Sequence, residues 1–183
     1  MLVWDPAGDR RRQRESAFDA LYGAYRQTLY AYFLGKTGDG ELALDLLQDT
    51  FVRVWRSIEA VDGAAESHQR AWLFSIARNL VIDEYRRQAT RRATRDELER
   101  VSAFEDGTAP PADTELSERE RGRAVDVAIR HLPEDLRTVL VLQLMGDRTS
   151  AEIGELLGRP AGTIRYQLSE ARRRLAADLR VTE

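Results

Sequence analysis

The sequence predicts an all-α protein: two small helical domains joined by a flexible acidic linker, the C-terminal one a helix-turn-helix. Three observations carry that expectation. Apolar residues recur at three- and four-residue steps through most of the chain, with no alternating run of β-branched residues bounded by turn signals. That periodicity lapses from about Ala89 to Pro111, where charge rises and Ala109-Pro110-Pro111 closes the stretch. Charge divides the same way: Arg78 to Arg95 and Arg159 to Arg174 each balance at +4, and Asp96 to Glu118 between them at -7. The 183 residues suit one ordinary domain or two small ones. The expected division is a disordered arm over 1–14, a helical domain over 15–90, a linker over 91–112 and a helix-turn-helix domain over 113–183.

The first helix follows the polar arm, with Phe18, Leu21, Tyr22, Tyr25, Leu29, Tyr32 and Phe33 on one face. Gly38-Asp39-Gly40 interrupts it, and Asp39 caps a second helix carrying Leu42, Leu46, Leu47, Phe51, Val54, Trp55 and Ile58. Small and polar residues make Val61 to Ser67 a loop. A third helix, about Arg70 to Gln88, buries Trp72, Leu73, Ile76, Ala77 and Leu80 and exposes Arg78, Asn79, Glu84, Arg86 and Arg87. Beyond the linker, Asp113 or Thr114 caps a helix that ends near Leu132 and Pro133. The next carries Leu136, Val139, Leu140 and Leu144 and ends around Gly146. Thr149 with Glu152 forms a capping box, with Ser150 the competing cap, for a short helix stopping at Gly158; Pro160 suits the first turn of the last helix, which runs to about Leu179.

Composition excludes several kinds of chemistry. With no cysteine there is no disulfide, thiolate metal site or thiol redox chemistry. His68 and His131, the two histidines, leave little material for a triad or a metal cluster, so no catalytic residue, metal or cofactor is assigned. No stretch approaches the ~20 apolar residues of a membrane span, and Met1 to Arg14 lacks a signal-peptide core, so membrane insertion is not expected and a cytoplasmic location is.

The stretch TSAEIGELLGRPAGTIRYQLSEARRRL, Thr149 to Leu175, has helix-turn-helix spacing. Gly154 leaves room for the second helix, Gly158 permits a left-handed turn, and Ile153, Leu157, Ile164 and Leu168 supply a shared core. Arg165, Tyr166, Ser169, Arg172 and Arg173 then face outward, suited to guanine and phosphate in a major groove. The bland alternative is a compact helical hairpin with a solvated arginine face. A second stretch, AWLFSIARNLVIDEYRRQ (Ala71 to Gln88), reads as a basic helix after a flexible loop, able to hold single-stranded DNA by its phosphates.

Together with LDLLQDTFVRVWRSI and LPEDLRTVLVLQL, these stretches resemble the extracytoplasmic-function sigma factors of the sigma-70 superfamily, in the expected order from about Ser16 to Leu179. The resemblance implies a non-catalytic subunit that binds core RNA polymerase and directs it to promoter DNA, with an anti-sigma factor as regulator and no small-molecule substrate. By the same resemblance, Asp45, Gln48, Asp49 and Arg53 match the segment that docks on the polymerase clamp, with Phe51 and Trp55 beside them read as core. The loop Asp62 to His68, Ser67 included, matches the -10 base-capturing loop, and Arg78, Asn79, Arg86 and Arg87 the helix holding the melted strand. Thr163, Arg165, Tyr166, Ser169, Arg172 and Arg173 match the helix that reads the -35 element. Three positions depart from the pattern: Tyr166 replaces a frequent serine, Gln167 a frequent arginine and Glu170 a common basic residue. Glu170 repels phosphate but can accept a hydrogen bond from cytosine N4. The acidic linker resembles the segment running towards the RNA exit channel, or is an ordinary solvated tether. Two further readings stay open: a dimeric helix-turn-helix regulator, and a sigma-like module that sequesters anti-sigma proteins.

Overall fold

A computed structural model describes residues 6–61, 63–99 and 125–181. The described residues are helical: α1 (Pro6–Thr37), α2 (Gly40–Ser57), a 3-10 turn (Ile58–Val61), α3 (Glu66–Glu99), α4 over residues 125–131, α5 (Glu134–Leu144), α6 (Ser150–Leu157) and α7 (Ala161–Val181). The first module is built from α1, α2 and α3 around Leu29, Phe33, Val54, Ile58, Leu73 and Leu80, all nearly or fully buried. The second packs α5, α6 and α7 around Val139, Leu140, Ile153, Ile164 and Leu168. No helix among the described residues is long and apolar enough to cross a membrane.

Local signals placed most of these boundaries. Asp39 caps α2 by accepting from the Glu41 and Leu42 amides. Thr149, rather than Ser150, caps α6: its hydroxyl accepts from the Glu152 amide while Glu152 reaches back to the Thr149 amide at 2.8 Å. Gly158 ends α6 with φ +66, a left-handed conformation that costs glycine nothing. A Cβ on Gly154 would sit 2.5 Å from the Arg159 carbonyl oxygen, so the turn into α7 closes directly over that glycine.

Several expectations need correction. The segment expected as a disordered arm is helical from Pro6, and Arg14 ties it down: its guanidinium donates to the Trp55 carbonyl at 3.1 Å, stacks on the Trp55 ring and pairs with Glu59 at 3.4 Å. Helix α3 runs on to Glu99, past the expected start of the linker. Glu84, expected exposed, is 3% exposed and accepts from Arg87 and Gln88 one turn on, so its partners are supplied by its own helix. Leu144, expected in the core, is 62% exposed because α5 stops there and the chain turns through Gly146. The expected cap at Asp113 or Thr114 and the acidic stretch up to Glu118 lie outside the described residues, apart from the helical start of that stretch up to Glu99.

The largest departure concerns the two modules together. α5 lies along α1, and one apolar cluster includes residues from both modules: Val139, Val141 and Leu142 join Leu29, Ala31 and Phe33. Helix α1 is therefore buried on two sides, against α2 and α3 on one and α5 on the other. Its second side is a row of small residues, Ala24, Thr28, Ala31 and Gly35, at four- and three-residue steps. A Cβ on Gly35 would lie 2.6 Å from the Thr138 Cα, so only glycine permits this approach of backbones.

Candidate nucleic-acid interface

Helix α7 sits on α6 through Ile164, Leu168 and Ala171, which are buried, and this orients the rest of the helix outward. Thr163, Arg165, Tyr166, Ser169, Arg172 and Arg173 are all exposed on that outer side, Tyr166 at 71%. Arg165 has no ion-pair or hydrogen-bond partner among the described residues, so its five donors face solvent. Arg172 donates to the Gln143 side chain at 2.6 Å, which props it against α5. Arg159 is turned inward, to Asp135 at 2.8 Å and Gln167 at 3.4 Å. Of the three departures, Gln167 therefore holds the turn and Tyr166 faces outward.

Glu170 does something its residue type did not announce. Its carboxylate accepts from Arg173 at 2.8 and 2.9 Å and from Arg174 at 2.8 Å. Those two arginines hold its carboxyl down to about 2, and Glu170 in turn raises Arg173. The carboxylate is thus already engaged, and the cytosine contact expected from its residue type is replaced by a cage of two guanidinium groups on its own helix.

On α3, Ser67, His68, Arg78, Asn79 and Arg86 are exposed on one side, because seven- and eleven-residue steps return an α-helix to nearly the same face. Arg86 pairs loosely with Asp83 at 3.7 Å and Arg87 with the buried Glu84 at 3.0 Å. Trp72 is partly buried and Phe74 fully buried against the core, which leaves neither as a stacking platform. Asp62 lies outside the described residues.

Asp45, Gln48, Asp49 and Arg53 are exposed along α2. Beside them runs a feature the sequence reading missed, a groove of about 670 Å³ between α1 and α2 lined by Phe18, Tyr22, Leu44, Val52 and Trp55 among others. Phe51 is buried as expected, whereas Trp55 is 39% exposed on the groove wall, its ring edge-on to Phe18. Leu44 and Val52 fall outside the apolar stripe of α2, and an apolar residue on a helix's polar side was the available signal. Among the described residues no group of histidine, aspartate and glutamate side chains has the arrangement of a metal site.

The sequence matches Sigma-70 region 2 over residues 21–91 and Sigma-70, region 4 over residues 122–175. It is 32% identical over 160 residues to the ECF RNA polymerase sigma factor SigL of Mycobacterium tuberculosis, covering 87% of each chain. The chain belongs to the ECF sigma factors of the sigma-70 family. SigM of Bacillus subtilis is 31% identical over 160 residues, covering 87% of this sigma factor and 93% of SigM. In fold it is similar to the sigma factor RpoE of Bartonella quintana, solved with the anti-sigma factor NepR, at a TM-score of 0.54 and 22% identity over 97% of this chain and all of that one. The region 2 match spans the second half of α1, α2 and most of α3; the region 4 match takes in α4, α5, α6 and the greater part of α7.

Proposed function

We propose that this sigma factor binds core RNA polymerase in the cytoplasm and directs it to promoters, with the first module taking the -10 element and the second the -35 element. The polymerase performs the chemistry. The observation that carries the reading is the outward face of α7, where Thr163, Arg165, Tyr166, Ser169, Arg172 and Arg173 stand clear of the core on a helix held by a capped, glycine-turned partner. Such a helix fits a major groove, where arginine takes guanine O6 and N7 together. Ser67, His68, Arg78, Asn79, Arg86 and Arg87 are assigned to the melted -10 strand, with Asp62 in the preceding loop. Asp45, Gln48, Asp49 and Arg53 are assigned to the clamp, where the apolar groove beside this charged row would accept the ridge of a partner helix. Division into a module over 15–90 and another over 113–183 supports two weak contacts acting as one stronger one. An anti-sigma factor is the proposed regulator, since RpoE of Bartonella quintana was solved with one.

The test is transcription with purified core polymerase on a promoter library, reading transcript 5′ ends. Initiation at sites sharing two elements at fixed spacing supports the assignment. Binding of a palindrome by a dimer without polymerase would replace it with an ordinary helix-turn-helix regulator.

A further inference from the structure

The contact between α1 and α5 is dense in specific bonds. The Arg137 guanidinium donates to the Gly35 carbonyl at 2.9 Å and the Lys36 carbonyl at 3.2 Å, at the C-terminal end of α1 where carbonyls lack helical partners. The same side chain donates to the Arg130 and Leu132 carbonyls at 3.0 and 3.3 Å, fastening the end of α4 to the end of α1. Lys36 pairs with Glu134 at 2.8 Å, and the Tyr85 hydroxyl donates to Glu134 at 2.9 Å, joining α3 to the same point. At the other end Arg148 donates to the Thr28 hydroxyl at 2.9 Å, and the Gln27 amide donates to the Met145 carbonyl at 2.6 Å. Gly35 and Thr138 make the closest backbone approach between these points.

This closed arrangement disagrees with promoter geometry. Elements at -10 and -35 are about 25 base pairs apart, or about 85 Å at 3.4 Å per pair. Duplex that is short against a persistence length of about 150 base pairs does not bend enough to bring them together. In the structure Arg70, two residues after His68, pairs with Glu155 of α6 at 2.6 Å, and α6 packs directly on α7. Packed helices lie about 8–10 Å apart, which puts the -10 loop and the -35 helix within about 25 Å of each other. One arrangement of the chain cannot serve both elements at once.

We propose that the α1 and α5 faces form an intramolecular docking interface that holds the free chain closed, and that the modules separate when polymerase takes it up. The proposal rests on the promoter-reading assignment above. The occupant of each face is the other module of the same chain, identified by the Arg137 clamp and by the fit of Gly35 against Thr138. The contact is also imperfect: the Thr138 hydroxyl is buried there without a hydrogen-bond partner among the described residues. An unsatisfied group at the seam weakens the closed state and suits an interface that must part.

Thr138 and Gly35 allow the equilibrium to be moved in either direction. Gly35→Ala adds a methyl where none fits the closed form, yet alanine favours α1 as a helix. Glu155→Arg, at an exposed position, sets two cations against each other across the seam. Thr138→Val removes the unpartnered hydroxyl at nearly constant shape. The chain has no cysteine, so spin labels at Ser75→Cys and Ala176→Cys report one distance in the full-length protein by pulsed electron spin resonance. The free wild-type chain should give a narrow, short distribution; Gly35→Ala and Glu155→Arg should broaden and lengthen it, and Thr138→Val should not. If the closed form makes up nine-tenths of the population, Gly35→Ala should tighten apparent affinity for core polymerase by about tenfold. A broad, long distribution in the free wild type, or an unchanged one in both opening variants, would overturn the proposal. Unchanged polymerase affinity in variants shown to be open would overturn the holding role. The distance measurement needs no polymerase, so failure of every variant to bind core polymerase would count against the promoter-reading assignment instead.

Discussion

Glu170 and Arg173 form a two-point contact on the outer face of α7, the carboxylate accepting from Nε and Nη2 of the guanidinium at 2.9 and 2.8 Å. With Arg174 added, one glutamate occupies two of the five arginines that made this segment basic. Glu170→Gln should release both. Affinity for duplex DNA of any sequence should rise, and the slope of log affinity against log salt should steepen by about 1 to 2, the increment for one or two additional phosphate contacts. The readout is a salt titration of the holoenzyme on a promoter and on unrelated duplex; an unchanged slope would show that Arg173 and Arg174 already reach phosphates in the wild type.

Arg165 is the counterpart, an arginine with its donors uncommitted. Arg165→Ala should weaken use of the -35 element by about 1–3 kcal/mol, roughly ten- to a hundredfold, with discrimination lost at one base position. Affinity for core polymerase should stay as in the wild type. Loss of core binding in a pull-down would mean that α7 serves the polymerase instead of the promoter.

The groove between α1 and α2 gives a prediction about the clamp. Leu44 is exposed on its wall, so Leu44→Glu should leave thermal unfolding unchanged. Core polymerase affinity should fall about tenfold, as for a moderate interface hot spot. If only Asp45, Gln48, Asp49 and Arg53 carry the contact, competition against the wild type will show no loss.

Acid should weaken the second module. Arg159 holds Asp135 below the usual carboxylate range, and hydrogen bonds from the Thr149 amide and hydroxyl hold Glu152 below it. Glu170 lies lower still, at about 2. All three folded-state values are depressed relative to the unfolded chain. Their stabilisation is therefore fully present above the ordinary carboxylate range and lost as pH falls through it towards about 2. Denaturation followed at a series of pH values should show this fall, and Thr149→Ala should reduce it while costing about 1 kcal/mol at neutral pH. A pH profile identical in Thr149→Ala would remove the capping box from the account.

Much of this architecture was legible because local rules decided it. Asp39, Thr149 with Glu152, and Gly158 each fix a helix end through bonds to their own neighbours, and nothing distant competes. The outward residues of α7 were legible for the same reason, since Ile164 and Leu168 settle which side is inward. What escaped depended on a partner far along the chain. The small-residue row of α1 looks like a weak polar side until α5 lies against it. Leu44 looks like a stray apolar residue until Phe18 and Tyr22 of α1 complete a groove. Glu170 is the exception: its residue type alone suggests a base contact, although the two arginines that engage it stand three and four residues along, within reach on any helix.

Arg137 gives the chain a second kind of arginine. Its charge meets the carbonyl oxygens of Gly35, Lys36, Arg130 and Leu132, which are dipoles in a partly buried seam and release no counterions. Arg165 and its neighbours on α7 would meet phosphates, whose condensed cations make binding fall steeply as salt rises. Ionic strength therefore acts on the two sets unequally, sparing the bonds within the protein and weakening those with DNA. In a cell that loses water and concentrates its ions, the balance shifts towards the folded-up chain before any other molecule intervenes.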